Sequence, residues 1–131
     1  MKREAISPTD RTLLFATYKI SPAIRSGDLL FVSGQVGSRP DSTPEPDLEA
    51  QVRLAYDHLE ATLAAAGCTF DDVIDVTSFH TDPMTQMATA SAVKTEKFLQ
   101  LPYPSWTAVG VNWLSGYDFE IKVIARVPSV A

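Results

Sequence analysis

From Phe119 to Val127, apolar Phe119, Ile121, Val123, Ala125 and Val127 alternate with Glu120, Lys122, Ile124 and Arg126. A period of two belongs to an extended strand whose faces differ, one apolar and in need of cover, the other carrying the charges. Any fold for this chain has to supply that cover. The clearest source is the segment in which Leu48, Val52, Ala55, Leu59, Leu63 and Ala66 recur at helical spacing, with Glu49, Arg53, Asp57 and Glu60 between them. It reads as one amphipathic helix ended by Gly67.

The remaining segments fall into place around these two. Leu29 to Ser33, bounded by Gly27-Asp28 and Gly34, reads as a buried strand, with Ala23 to Arg25 as its hairpin partner. "GSRPDSTPEP", from Gly37 to Pro46, is a surface loop. Val73 to Phe79 is β-branched on both faces, as expected of a strand covered above and below. Asp82 and Pro83 supply an N-cap and a first helical position for a second helix running to Leu99. Trp106 to Trp113 and Tyr117 to Val127 read as the last two strands, joined by Leu114-Ser115-Gly116. The order is βββαβαββ, with Leu13 to Tyr18 as a candidate further strand. This is an α+β layer, a mixed sheet with two helices packed on one face. The other face, with Glu120, Lys122, Ile124 and Trp106, is neither fully polar nor fully apolar. Such a face usually needs a partner chain, and a homo-oligomer with sites at the subunit boundary would satisfy it.

With 131 residues and 45% hydrophobic content, the chain is expected to form one domain over residues 1–131. The formal net charge is -5 and the longest basic cluster is Lys2-Arg3, so no positive stripe is available for a phosphate backbone and nucleic acid is not an expected partner. No apolar run approaches the roughly 18 to 20 residues that cross a bilayer, and Lys2-Arg3-Glu4 is not followed by the apolar core of a signal peptide. No membrane association is therefore expected, and the expected location is the cytoplasm. The one cysteine, Cys68, excludes an internal disulfide and reads as a small buried spacer or a reactive thiol. His58 and His80 lack metal-ligand spacing and read as structural or solvent-facing. Asp71, Asp72 and Asp75 suit a helix-to-strand turn better than a cation site, so no metal is expected.

Two features carry chemistry. Ser33-Gly34-Gln35 follows a strand, where glycine permits close approach and backbone amides can face a ligand, although a tight turn uses the same residues. Glu120 stands between Phe119 and Ile121. If buried, its charged form is disfavoured and it can orient or deprotonate a water near neutral pH. The alternative is an ion pair with Lys122 or Arg126.

The segments "GDLLFVSGQVG", "QVRLAYDHLEATLAAAGCTFDDVIDVTSF", "LPYPSWTAVGV" and "FEIKVIARV", in that order, resemble the RidA/YjgF reactive intermediate deaminase family. "AIRSGDLLFVSGQVGSR", "FHTDP" and "YPSWTAVGV" are most similar to its YjgH-like branch. The resemblance implies a chorismate-mutase-like α+β fold assembled as a homotrimer, with small-molecule clefts between subunits. It also implies hydrolysis of amino-acid-derived enamines and imines to 2-keto acids and ammonia, without metal or organic cofactor. In those relatives an arginine in a "P-x-R-[ST]" segment grips the substrate carboxylate and a glutamate on the last strand acts on water. Here that glutamate is Glu120, and Trp106 and Thr107 occupy the arginine and Ser/Thr positions of "PSWT". Substrate contacts are thus expected at Trp106, Thr107, Ser33 and Gly34. An indole does not replace a guanidinium fork, so the resemblance implies either a deaminase-like hydrolase with an altered substrate or a non-catalytic binding trimer. Arg25 and Arg39 are the candidates to replace the missing cation.

Overall fold

The computed structural model describes residues 3–8 and 16–129. Six strands, β1 (Glu4–Ile6), β2 (Ala23–Ser26), β3 (Leu29–Val36), β4 (Val73–His80), β5 (Ser105–Gly110) and β6 (Phe119–Arg126), form one sheet in the order β1-β2-β3-β6-β4-β5. The helices α1 (Leu48–Ala65) and α2 (Pro83–Lys97) complete the order βββαβαββ. The N-terminal strand is β1, paired antiparallel with β2. Of the candidate strand at Leu13 to Tyr18, residues 13–15 lie outside the described residues, and Ala16 to Tyr18 are helical.

The alternation at the C-terminal strand does what its pattern demands. Phe119, Ile121, Val123 and Ala125 are at most 2% exposed, beneath the helices, together with Leu30 and Val32 of β3 and Val76 of β4. Tyr56 of α1 lies in the centre of this core, its ring 6.1 Å from both Phe70 and Phe119 and 6.3 Å from Phe98. Each such aromatic pair adds about 0.5–1.5 kcal/mol beyond the area it buries.

The ends of α1 are fixed locally. Asp47 accepts from the Ala50 amide at the start. At the finish Gly67 (φ +78°) and Cys68 donate to the carbonyls of Ala64 and Leu63, a Schellman ending that puts Cys68 in the core as a spacer. Burial raises the Cys68 thiol's pKa, which makes it less reactive. Asp72 closes a capping box with Thr69, and Asp75 accepts from the Ser105 hydroxyl, so these carboxylates serve turn and strand contacts. At α2, Pro83 takes the first helical position as expected, but Asp82 does not cap it through a backbone amide. Its carboxylate accepts from the Thr85 hydroxyl instead, while its own amide donates to Gln86 Oε1.

The expected junction of the last two strands is corrected. β5 and β6 are shorter than their apolar runs, and they are not neighbours: β4 lies between them, parallel to β5 and antiparallel to β6. Residues 111–118 are therefore a crossover connection past β4, long enough that a tight hairpin is not required. β4 differs from its reading too. Its Val76, Ser78 and His80 side is buried, but Thr77 and Phe79 on the other side are only partly buried, because both helices pack on the same face.

Candidate functional site

Glu120 lies on the sheet face away from the helices. Val36 of β3, Glu120, Phe79 of β4 and Val109 of β5 are register partners in turn and form one row across that face. A carboxylate set between apolar Val36 and Phe79 loses hydration. Burial raises the pKa of Glu120, opposed only by the attraction of Lys122. Among the described residues its carboxylate makes no ion pair; Arg126, the other proposed partner, pairs with Asp28.

Space for the carboxylate comes from β3. The β3–β6 register shifts between Val32 and Gln35, and a Cβ placed on Gly34 would stand 2.5 Å from Cδ and Oε2 of Glu120. Glycine is thus required by the carboxylate lying across the bulge. Ser33 fixes that bulge rather than offering its amide to a ligand. Its N–H donates to the Pro22 carbonyl at 2.9 Å, its hydroxyl to the Ser21 carbonyl at 2.7 Å, and its carbonyl accepts from Gln35 Nε2. The start of β6 is held by buried Gln51 of α1, whose Oε1 accepts from the amides of Asp118 at 2.8 Å and Phe119 at 3.2 Å. Glu120 is the next residue, so α1 sets its height on the sheet.

Trp106 is elsewhere. It pairs with Val76, which pairs with the buried Val123, and directly opposed residues share a face, so the indole lies on the helix side of the sheet. Its Nε1–H donates to Ser78 Oγ at 2.9 Å, and Ser78 Oγ is 2.8 Å from His80 Nε2. Lys94 Nζ of α2 stands 4.3 Å from the centre of the indole. Within the chain Trp106 and Glu120 therefore face opposite sides, and of the expected contacts Gly34 stands directly against Glu120. Thr107 faces Glu120's side across β4, in the row with Thr77 and Lys122.

Neither candidate arginine stands beside Glu120. Arg25, partnered with Leu30, is on the helix side at the far end of the strands, where it lines an 860 Å³ groove with Asp28, Asp72 and Arg126. Arg39 lies in the loop after β3 and donates to the Thr43 hydroxyl. His58 ties α1 to that loop through Ser38 O at 2.9 Å. His80 is 1% exposed, its Nδ1 has no hydrogen-bond partner among the described residues, and burial lowers its pKa. The sequence reading did not single out Ser78 or Lys94. The signals were a hydroxyl and an imidazole two apart on the core face of β4, and a lysine one helical turn before Phe98.

The chain matches the family described as Endoribonuclease L-PSP over residues 12–127. It is 67% identical over 128 residues to the RutC family protein YjgH of Escherichia coli K12, covering 98% of each chain. It is 34% identical over 103 residues to the protein of the same organism named "Putative reactive intermediate deaminase TdcF", covering 76% of this chain and 79% of that one. A solved structure of protein YjgH superposes with a TM-score of 0.93 at 66% identity, over 99% of this chain and 100% of the other. RidA from the Antarctic bacterium Psychrobacter gives 0.75 at 29% identity, over 82% and 87%. Fold and sequence likeness agree, and the chain belongs to the RutC/YjgF/RidA family.

Proposed function

We propose that this chain works as a homotrimer with small-molecule clefts between subunits, in which Glu120 activates water against an imine. The carrying observation is the Glu120 carboxylate, set in an apolar row over Gly34 with a raised pKa and no ion pair among the described residues. The partly apolar open face supports a covering subunit, and likeness to a relative named as a reactive intermediate deaminase supports the reaction class. Glu120 takes a proton from water as its oxygen bonds to the imine carbon. The proton then passes to nitrogen to give a carbinolamine, whose hydroxyl proton moves to nitrogen through the same carboxylate as the C–N bond breaks, and ammonia leaves with a carbonyl product. With tryptophan at position 106, the substrate differs from that of arginine-bearing relatives, and Trp106 contributes from a neighbouring subunit, since it lies on the far side of its own sheet, whereas Thr107 is on the Glu120 side.

The commitment of Trp106 to Ser78 and Lys94 favours one second reading, a binding trimer without turnover. The test generates imines with aromatic or uncharged side chains in situ from amino acids and an amino-acid oxidase, then follows their hydrolysis. Acceleration by the wild type and a fall of about 10²–10⁴-fold in Glu120→Gln is expected. Equal rates in the two proteins remove Glu120 from the chemistry, and binding without acceleration leaves the second reading. Light scattering with a mass near 14.3 kDa would overturn the trimer.

A further inference from the structure

The 860 Å³ groove at the far end of the strands lies between the β2–β3 turn, the C-terminal end of α1, the turn at Asp71 and Asp72, and the end of β6. Two of its charges cancel, since Arg126 pairs with Asp28. Asp72 accepts from the Thr69 amide and closes its capping box. Arg25 is different. It is half-buried, its Nε–H donates to the Gly27 carbonyl at 3.0 Å, and the Nη–H groups of its fork have no acceptor among the described residues. No described carboxylate lies within 4.0 Å of it, although Arg53 and Arg126 are both paired. Donors that are half removed from water without an acceptor are costly to keep, and a ligand that supplies one removes the cost. On the other side of the balance, the Asp71 amide donates to Thr69 Oγ1 while its carboxylate accepts from nothing among the described residues. Burial raises the Cys68 pKa first, then Asp72 raises it and Arg25 lowers it, so charges of both signs lie within electrostatic reach of this one thiol. α1 ends beside the groove at Ala66 and Gly67, and the partial negative charge of a helix C-terminus adds to that of the acids. Ile74, Val127 and Pro128 supply an apolar wall.

We propose that this groove binds a free amino acid with an apolar side chain, its carboxylate on the Arg25 fork, its ammonium beside Asp71 and the end of α1, and its side chain against Ile74 and Val127. A plain anion would satisfy the fork but meet Asp71 and Asp72, and a plain cation would leave the fork unpaired. A zwitterion answers both. This is a second site, apart from the Glu120 row: Arg126, at the groove, is six residues along β6 from Glu120, about 20 Å in an extended strand.

The test reads binding without turnover, so it stands or falls separately from the role of Glu120. Leucine, 4-methylpentanoate, which lacks the ammonium, and 3-methylbutylamine, which lacks the carboxylate, are titrated into the isotopically labelled protein and followed by amide NMR. Saturable shifts at Gly27, Gly67 and Asp71 are expected with leucine, and each analogue should bind more weakly by about tenfold or more. Arg25→Gln should weaken leucine by about tenfold and leave 3-methylbutylamine unchanged. Asp71→Asn, at an exposed turn position whose carboxylate holds no described contact, should weaken leucine by a similar factor without weakening 4-methylpentanoate, and it keeps the proposal testable if Arg25→Gln fails to fold. Glu120→Gln should bind leucine as the wild type does. Shifts confined to Gly34 and its neighbours would place the amino acid in the Glu120 row and overturn the proposal. So would shifts that do not saturate, an analogue that binds as tightly as leucine, or leucine affinity unchanged in Asp71→Asn or in a folded Arg25→Gln.

Discussion

The two faces of β6 are built from alternate residues of one short segment, yet they live under different rules. On the helix side Ile121 and Ala125 are 0% exposed and have a single role, filling the core. On the open side Glu120, Lys122 and Ile124 have no described element above them, and a group that would be costly in the core can be kept there for its chemistry. The lesson is that a period-two strand separates stability from function at the smallest possible distance. Mutating a residue and then its neighbour should produce effects of different kind.

That contrast can be broken most severely at Ile121. Ile121→Ala should cost about 2–5 kcal/mol, read as a shift of the urea midpoint with little dependence on protein concentration. Ile124→Ala on the open face should cost far less, and any large, concentration-dependent loss there would mean that a second copy covers it. The next largest effect compares two glycines near the same end of β3. A Cβ on Gly37 would meet the backbone oxygen of Gln51 at 2.1 Å, whereas one on Gly34 meets only the mobile end of Glu120. Gly37→Ala should therefore cost about 1–3 kcal/mol, and Gly34→Ala should lose less stability while displacing the carboxylate and any turnover that depends on it. Calorimetry and the imine assay on both variants check this inversion.

Ser78→Ala removes the hydroxyl shared by Trp106 and His80 and should cost about 1–3 kcal/mol, with a changed Trp106 indole proton signal by NMR. The smallest effect has the opposite sign. Because the Glu120 pKa is raised on folding, its contribution favours the folded state below the ordinary value of 4.5 and is lost as pH rises through the folded pKa. Glu120→Gln should accordingly raise Tm at neutral pH, with the gap closing as pH falls to 4.5, as followed by thermal scans across that range. An unchanged Tm at all pH values would mean that the carboxylate is solvated and the two faces of β6 are alike at this position.

Much of this was legible because it is local. Alternation located β6 and its buried side, helical spacing located α1, and Gly67 marked its end for the φ that only glycine adopts easily. The strand pattern singled out Glu120 and the resemblance matched it to the family's glutamate, and the structure adds the reason for Gly34. What stayed hidden depends on which strands become neighbours. Adjacent apolar runs with a Ser-Gly between them look like a hairpin, and nothing local says that β4 will be inserted. Once it is, Trp106 takes its face from Val76 and not from β6, so its partners become Ser78 and Lys94. Expectations at Trp106 and Ser33 were drawn from chain position. The Ser33 amide and hydroxyl are taken by Pro22 and Ser21, eleven and twelve residues earlier, which no local pattern announces.

The strand order has a consequence for how the molecule is made. β6 is the last of the described strands to leave the ribosome, and it is the one that joins β3 to β4. Until it arrives, the nascent chain holds two half-sheets, β1-β2-β3 and β4-β5, with β3 and β4 unpaired on the side that β6 will occupy. Neither half can close by a local hairpin, so completion waits on contacts of large sequence separation, the kind that form slowly. During translation, β3 and β4 are templates for any extended segment, including the same strand of another nascent chain on the same message. A newly made chain is therefore most vulnerable, and most in need of a chaperone, in the interval between emergence of β4 and insertion of β6.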